Sequence, residues 1–266
     1  MGDINNDGYM DIYVCRSSPF YENDLGNLLF VNNGDNTFTE MSSDRGLAEP
    51  CYSTTANFFD IDNDGDLDLY VGNHPIKFGK DLVKYSSYEL LDPKATDRLY
   101  INDGTGNFTD ITKSAGVESF AYALSVSATD FNQDGYTDIY VTNDYYTPDF
   151  LYINQKNGTF KEQQQEYFKH TSTNAMGSDA ADYNNDGLID FMVLDMLPVN
   201  NYERKLLVGP FNFDFYLFRW MNGYGHQNMK NTLQLNRGNG RFSEIGCFSG
   251  VEATDWSWAP LMADFD

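Results

Sequence analysis

Positive charge is what this chain has least of. Across 266 residues, 17 Lys and Arg stand against 40 Asp and Glu, a formal net charge of -23. A surface of that sign repels phosphate, which disfavours nucleic acid as a partner and an anionic membrane surface with it. Cysteine is scarce too. Cys15, Cys51 and Cys247 show no C-x-x-C spacing and leave an odd count, so they define neither a disulfide framework nor a zinc site and are expected to be buried free thiols. No run of 18 apolar residues occurs, and Met1 leads into GDINNDG without the basic and apolar regions of a secretory leader, so the segment carries no direct address. His74, His170 and His226 are isolated from one another, and no G-x-S-x-G nucleophile motif is present. Apolar residues, by contrast, make up 41% of the chain, enough for the core of one large domain or two small ones.

What the chain has in abundance is one repeated motif. Aligned on the first Asp it reads DINNDGYMDIYV from Asp3, DIDNDGDLDLYV from Asp60, DFNQDGYTDIYV from Asp130 and DYNNDGLIDFMV from Asp182, with a cut-off DFD at Asp264. Each copy supplies carboxylate or amide oxygens at positions 1, 3, 5 and 9 and a Gly at position 6. Calcium takes six to eight oxygen ligands in flexible geometry, and Gly permits the sharp reversal such a loop needs. Magnesium keeps its waters and fits less well; zinc would want His or Cys, which these loops lack. An EF-hand would place a bidentate Glu at position 12. Here position 12 is Val14, Val71, Val141 and Val193, and the last carboxylate comes three residues earlier, at Asp11, Asp68, Asp138 and Asp190.

A strand is expected directly after each loop, where IYV, LYV, IYV and FMV are apolar throughout, as in a strand covered on both faces. Later in each repeat comes a hairpin around an Asn/Gly-rich turn: LLFVNNGDNTF to Phe38, LYINDGTGNF to Phe108, LYINQKNGTF to Phe160 and LQLNRGNGRF to Phe242. Phe38 to Asp60, Phe108 to Asp130, Phe160 to Asp182 and Phe242 to Asp264 are each 22 residues apart. All length variation therefore falls between the post-loop strand and the hairpin. Repeats of this size with four short strands predict a β-propeller, strand A before the metal loop, B after it, and C and D as the hairpin. The A–B loops and C–D turns would then share one face, and the B–C insertions and D–A connections the other. The fold class is all-β, a propeller of four-stranded blades with repeats at about 3–59, 60–129, 130–181 and 182–263. Because Gly2-Asp3 aligns with Ala263-Asp264, the expectation is a piece of a larger, about seven-bladed propeller. The alternative is a last A strand near residues 256–263 that closes a four-bladed ring.

These motifs resemble the FG-GAP and VCBS repeats of integrin-alpha-like propellers. The extended pattern, including NTLQLNRGNGRF and ATDWSWAPLMADFD, is similar to the secreted repeat proteins of bacteria, and of the cartilage-acidic-protein kind, that carry an ASPIC/UnbV domain. The resemblance covers the whole chain. It implies about four calcium ions, one per A–B loop, held by side chains at positions 1, 3, 5 and 9 and by the carbonyl at position 7. The residues so implied are Asp3, Asn5, Asp7, Tyr9 and Asp11; Asp60, Asp62, Asp64, Asp66 and Asp68; Asp130, Asn132, Asp134, Tyr136 and Asp138; and Asp182, Asn184, Asp186, Leu188 and Asp190. Asn stands at position 3 in three loops and brings no charge, so the Asp60 loop is expected to bind most tightly.

Such ions serve structure, and function is expected on the other face. The insertions at residues 72–97 and 195–231 hold 8 of the 17 basic residues: Lys77, Lys80, Lys84, Lys94, Arg204, Lys205, Arg219 and Lys230. The second also carries Tyr202, Phe211, Phe213, Phe215, Tyr216, Phe218, Trp220 and Tyr224. Rings with interspersed basic groups suit a glycan, although FNFDFYLFRWM reads first as the insertion's own small core. The expectation is a non-enzymatic, calcium-stabilised binding or adhesion module, extracellular or at the cell surface. Its partner would be a glycan or polysaccharide, or an extracellular protein by analogy with integrins, without nucleic acid and without membrane insertion. The rival class is a lyase-like polysaccharide enzyme drawing on His74, His226, Tyr224 and Arg219. Asn107-Phe-Thr and Asn157-Gly-Thr match glycosylation sequons, yet both fall in C–D turns where Asn is favoured anyway.

Overall fold

The computed structural model describes residues 1–17, 26–75, 93–145, 147–207 and 213–263. Lys77, Lys80, Lys84, Phe211 and Asp264 lie outside the described residues, as does the side chain of Phe215.

Four antiparallel sheets succeed one another along the chain. The first holds β1 (Ile12–Val14), β2 (Leu28–Asn32) and β3 (Phe38–Glu40), with its A position reduced to a bridge between Gly2 and Asp11. The second holds β4 (Ser53–Phe59), β5 (Asp68–Asn73), β6 (Arg98–Asn102) and β7 (Phe108–Asp110), in that order across the sheet. The third repeats it with β8 (Ala123–Thr129), β9 (Asp138–Asn143), β10 (Phe150–Asn154) and β11 (Phe160–Glu162). After a short β12 (Thr171–Ser172), the fourth begins with β13 (Gly177–Ala181) and β14 (Asp190–Leu194). It is completed, beyond a two-residue β15 (Gln227–Asn228), by β16 (Thr232–Asn236) and β17 (Phe242–Glu244). These are the expected A–B–C–D blades of an all-β propeller. In every hairpin the recurrent Phe pairs with the Asn ending strand C: Asn32 with Phe38, Asn102 with Phe108, Asn154 with Phe160, Asn236 with Phe242.

The constant 22-residue spacing has a structural cause. After the second, third and fourth sheets the connection carries one helical turn, α1 (Thr112–Ala115), α2 (Gln164–Tyr167) and α5 (Gly246–Ser249), after the first a turn at residues 42–46, and such compact connections leave little room for insertion. Between β14 and β15 lie two longer helices, α3 (Asn201–Leu207) and α4 (Phe213–Met221). The end of this insertion is clamped to the preceding connection by parallel pairing of β15 with β12.

The A strands of successive blades lie side by side. Thr54 Oγ1 of β4 donates to the Ala123 carbonyl of β8 at 2.6 Å, and Ser127 Oγ of β8 lies 2.7 Å from Ser178 Oγ of β13. With a blade on either side, β5 and β9 are buried at every position, which is why strand B reads as an unbroken apolar run instead of an alternation. Three cores form, one per pair of facing sheets. Position 2 of the first three metal loops plugs the interface with the following blade: Ile4 packs with Leu69 and Tyr100, Ile61 with Ile139 and Tyr152, Phe131 with Phe191 and Phe242, whereas Tyr183 of loop four is exposed. Each such plug contributes about 2–3 kcal/mol by burial.

Residues 256–263 form no strand, so the alternative in which a last A strand there closes a four-bladed ring is not what the structure shows. They run beside β13, held by a Met262 N–H donated to Asp179 Oδ2. A strand needs a ladder of partners, and this segment meets β13 too sparsely for one. Gly177 allows the approach, since a Cβ there would fall 2.1 Å from the Trp258 carbonyl oxygen. The thiols also divide: Cys51 is buried as expected and Cys15 half-buried, but Cys247 is exposed on α5.

Candidate metal centres

Each A–B loop wraps its backbone around its own acidic side chains. The position-1 carboxylate accepts the N–H of the position-6 glycine: Gly8 to Asp3 at 2.8 Å, Gly65 to Asp60 at 3.0 Å, Gly135 to Asp130 at 2.7 Å and Gly187 to Asp182 at 2.8 Å. The position-5 carboxylate accepts the N–H of position 7, from Tyr9 to Asp7, Asp66 to Asp64, Tyr136 to Asp134 and Leu188 to Asp186. At position 3, the Asn5, Asn132 and Asn184 amide oxygens accept the position-5 N–H, whereas Asp62 brings a third neighbouring charge to loop two. Two residues per loop are left-handed. Position 6 is Gly for that reason, with φ between 82° and 93°. Position 4 is Asn6, Asn63, Gln133 and Asn185, at φ of 56–64°, a need that the Gly pattern alone does not disclose. The side chain at position 4 then reaches the next loop: Asn63 Nδ2 donates to the Gly135 carbonyl and Gln133 Nε2 to the Gly187 carbonyl, both at 2.9 Å.

The position-9 aspartates are of a different kind. Asp11, Asp68, Asp138 and Asp190 are completely buried, and Oδ1 of each accepts, at 2.8 Å, the N–H of the Asn that ends strand C. In the first three loops Oδ2 accepts the position-2 N–H at 3.0 Å. Burial pushes Asp68 and Asp138 up to about 7, against the pull of those N–H donors. In loop two, burial and then the Asp64 charge raise Asp62. Asp66, whose carboxyl bonds to Asp64, rises to about 6.

All the donors are hard oxygens. In loop two, Asp60, Asp62 and Asp68 each present one within 4.8 Å of the others, the spread of ligands around a single ion with metal–oxygen distances of about 2.3–2.6 Å. In loop four, Asp190 Oδ2 is buried without a hydrogen-bond partner, an acceptor left over for a cation. The residues therefore fit calcium, and a divalent charge among them would reverse the upward shifts. The loops and C–D turns share one face, as expected. Ile61, Asp62 and Tyr136 line a cleft of about 260 Å³ together with Asn154, Lys156, Asn157 and Gly158.

The far end of strand B holds a second repeated node. Immediately before strand C stand Asn27, Asp97, Asp149 and Asn231. Their Oδ1 atoms accept, at 2.7–2.8 Å, the N–H of Arg16, Asn73, Asn143 and Asp195, the residues that leave strand B. Tyr70 and Tyr140 add their hydroxyl protons to Asp97 and Asp149, while in blade one Asn27 donates to the Tyr13 oxygen instead. Burial pushes Asp97 up to about 6 and Asp149 to about 7. The sequence signal was available: an Asp or Asn two residues before Leu29, Leu99, Leu151 and Leu233.

On that same end the candidate catalytic residues separate into two groups. His74 packs edge-on against Tyr122 and Tyr145, with ring centroids at 5.1 and 6.0 Å, and its pKa is lowered by burial. His226 belongs to the α4 insertion, where its Nδ1 meets the Tyr216 hydroxyl; Tyr224, named from the sequence, is buried instead. Arg219 Nη1 donates to Gln227 Oε1 at 2.8 Å. The helix does not form the sealed core that its sequence predicts. Phe213, Trp220 and Met221 are 61%, 51% and 72% exposed, and no described side chain of α4 is buried. With apolar groups all around a nine-residue helix, one stripe must face solvent. Along it the rings of Phe213 and Tyr216, Tyr216 and His226, and His226 and Trp220 lie within 18–29° of parallel, at 5.9–6.4 Å.

The profile of the FG-GAP-like repeat family matches residues 3–71, 90–141 and 130–193. It stops before the fourth hairpin and the tail, and gives no support to the expected likeness to ASPIC/UnbV proteins. No curated protein matches the chain. Among solved structures, one described as the structural basis of specific recognition of non-reducing terminal N-acetylglucosamine by an Agrocybe aegerita lectin is similar at 15% identity and a TM-score of 0.39. The alignment covers 83% of this chain and 45% of that one, so the chain spans less than half the lectin's length. Among the described residues no helix is long and apolar enough to cross a membrane.

Proposed function

Since the chain belongs to the FG-GAP-like repeat family, we propose that it is a calcium-stabilised, extracellular or cell-surface binding module that takes a glycan on the face opposite its metal loops. The observation that carries this reading is the ladder of near-parallel rings, Phe213, Tyr216, His226 and Trp220, of which Tyr216 is half-buried and the other three are exposed. Sugar rings present flat apolar C–H faces, and consecutive aromatic faces at a spacing of about 6 Å offer them successive stacking surfaces. The exposed Lys205 on α3 places positive charge on an otherwise acidic protein, which suits carboxylated or sulfated polysaccharide, while Arg204 beside it pairs with Glu252. The four loops would supply stability and not recognition, because their side chains already bond to their own backbone and to the adjacent blade. Calcium at extracellular concentrations suits loops with three or four carboxylates.

The test is a screen of glycans and polysaccharides with calcium, reading both retention and release of soluble product, for the wild type and for Trp220→Ala. Saturable retention that the substitution weakens at least tenfold supports the reading; retention indifferent to Trp220, or capture of extracellular proteins alone, refutes the glycan. A lyase is the second reading, favoured by the Tyr216–His226 hydrogen bond, a proton-transfer pair three residues from Arg219. Unsaturated sugar products that disappear in Tyr216→Phe would replace the binding module by the enzyme.

A further inference from the structure

The C–D turn of the third blade departs from the others at one residue. The third position of that turn is left-handed in every blade and is Gly34, Gly104 and Gly238 in blades one, two and four, at φ of 75–77°. In blade three it is Lys156, at φ of 63°. An L residue other than Gly, Asn or Asp is disfavoured there, so lysine sits at this turn against the local backbone preference. Its side chain has a specific destination. The ammonium lies 3.3 Å from Asp134 Oδ2, donates to the Asp134 carbonyl oxygen at 3.2 Å and stands 5.2 Å from the centroid of the Tyr136 ring. Asp134 and Tyr136 are positions 5 and 7 of the third metal loop. In blades one and two the corresponding glycines leave no such room, because a Cβ at Gly34 or Gly104 would fall 2.9 Å from the Tyr9 ring or 2.8 Å from Asp66 Oδ2.

We infer that Lys156 is a tethered counter-ion that sets the calcium affinity of the third loop below that of the other three. By ligand charge alone, loops one, three and four are equal, with three carboxylates each at positions 1, 5 and 9. Lys156 breaks the tie, because its positive charge repels an incoming cation and holds a carboxylate that the cation would claim. A unit charge about 4 Å from a divalent ion in a water-like medium is worth about a thirtyfold change in affinity before salt screening, which reduces it toward about a fivefold one. The inference rests on calcium occupying the loops.

The experiment is a calcium titration against a chromophoric chelator, resolving the successive binding steps of the wild type, Lys156→Gly, Lys156→Asn and Lys156→Gly/Asp130→Asn. Gly and Asn both suit the left-handed backbone and both remove the charge, so a shared effect reports charge and not strain. The weakest step is expected to tighten at least about fivefold in both single variants, and Asp130→Asn, which removes the first carboxylate of the same loop, should abolish the gain. Unchanged binding steps overturn the inference while leaving calcium in the loops. A gain in the Gly variant without one in the Asn variant overturns it too, since that is relief of strain. Absence of calcium uptake by every protein overturns both the inference and the reading of the loops.

Discussion

Replacing Asp149 by Asn should leave the fold intact and make the protein more stable at neutral pH than in mild acid, relative to wild type. Asp149 is 2% exposed; its Oδ1 accepts the Asn143 N–H at 2.8 Å and its Oδ2 the Tyr140 hydroxyl at 2.7 Å. Burial raises its pKa from 3.8 to about 7, the two hydrogen bonds oppose the rise, and the Asp195 charge adds to it. A folded-state pKa above the unfolded one means that, between about pH 4 and 7, the folded protein keeps a proton the unfolded chain has lost. Stability from this group is therefore complete below pH 4, falls as pH rises through the window, and is flat above pH 7. From pH 4.5 to 7.5 the span is about two and a half units, or about 3 kcal/mol at 1.36 kcal/mol per unit. Asparagine has no proton to lose. It can keep the Asn143 bond through Oδ1 and turn Nδ2 toward the tyrosine oxygen, the arrangement that Asn27 and Tyr13 hold in blade one. Urea unfolding of both proteins at pH 4.5 and 7.5 gives the double difference, in which the acid response of the metal loops cancels. The variant should gain about 2–3 kcal/mol on the wild type between the two pH values. Parallel pH profiles, or a variant that loses ground at pH 7.5, would refute the reasoning.

Removal of calcium with EDTA should lower the melting temperature, since buried carboxylates such as Asp68 and Asp138 would lose their counter-charge; superimposable melts with and without chelator would contradict the role given to the loops. Asp64→Asn takes one of the four carboxylates at positions 1, 3, 5 and 9 from the most anionic loop and should weaken the first calcium-binding step, read by the same chelator competition; an unchanged first step would remove loop two from its leading place. Ile61→Ala empties the plug between blades two and three, where the wild-type side chain is 2% exposed, and should cost about 2–5 kcal/mol in urea unfolding. A loss below about 1 kcal/mol would mean that the interface closes over the gap.

The blades were legible because their evidence is redundant. Four copies of one loop and four hairpins at a constant distance leave little freedom, and the buried Tyr70 and Tyr140 strands follow directly from their apolar runs. The repeated acidic pattern of the loops was legible for the same reason, and in loop two the fold brings oxygens of Asp60, Asp62 and Asp68 within 4.8 Å of one another. What escaped depended on geometry that spacing does not encode. Asn63 and Gln133 look like fillers within a ligand pattern until their left-handed backbone and their reach into the next loop are seen. Asp97 and Asp149 stand beside the strong Leu-aromatic signal of strand C, and the length of the insertion before each one varies, which hides their common place. The α4 aromatics were misjudged because composition reports how much apolar surface a segment has, whereas exposure is decided by what packs against it.

The loops also have a consequence for how such proteins change in size. A plug at position 2 recurs in loops one to three and a position-4 donor to the next loop in loops two and three, and Asn154 Nδ2 donates to the Ile61 carbonyl just as Asn102 Nδ2 donates to that of Ile4. The joint is head-to-tail, each blade presenting one kind of surface to its successor and another to its predecessor. A repeat duplicated or deleted in the gene would carry its own matching halves, and the neighbours left behind would still fit. Blade number in this architecture is then an easily altered trait, limited by the angle at which identical joints can close a circle.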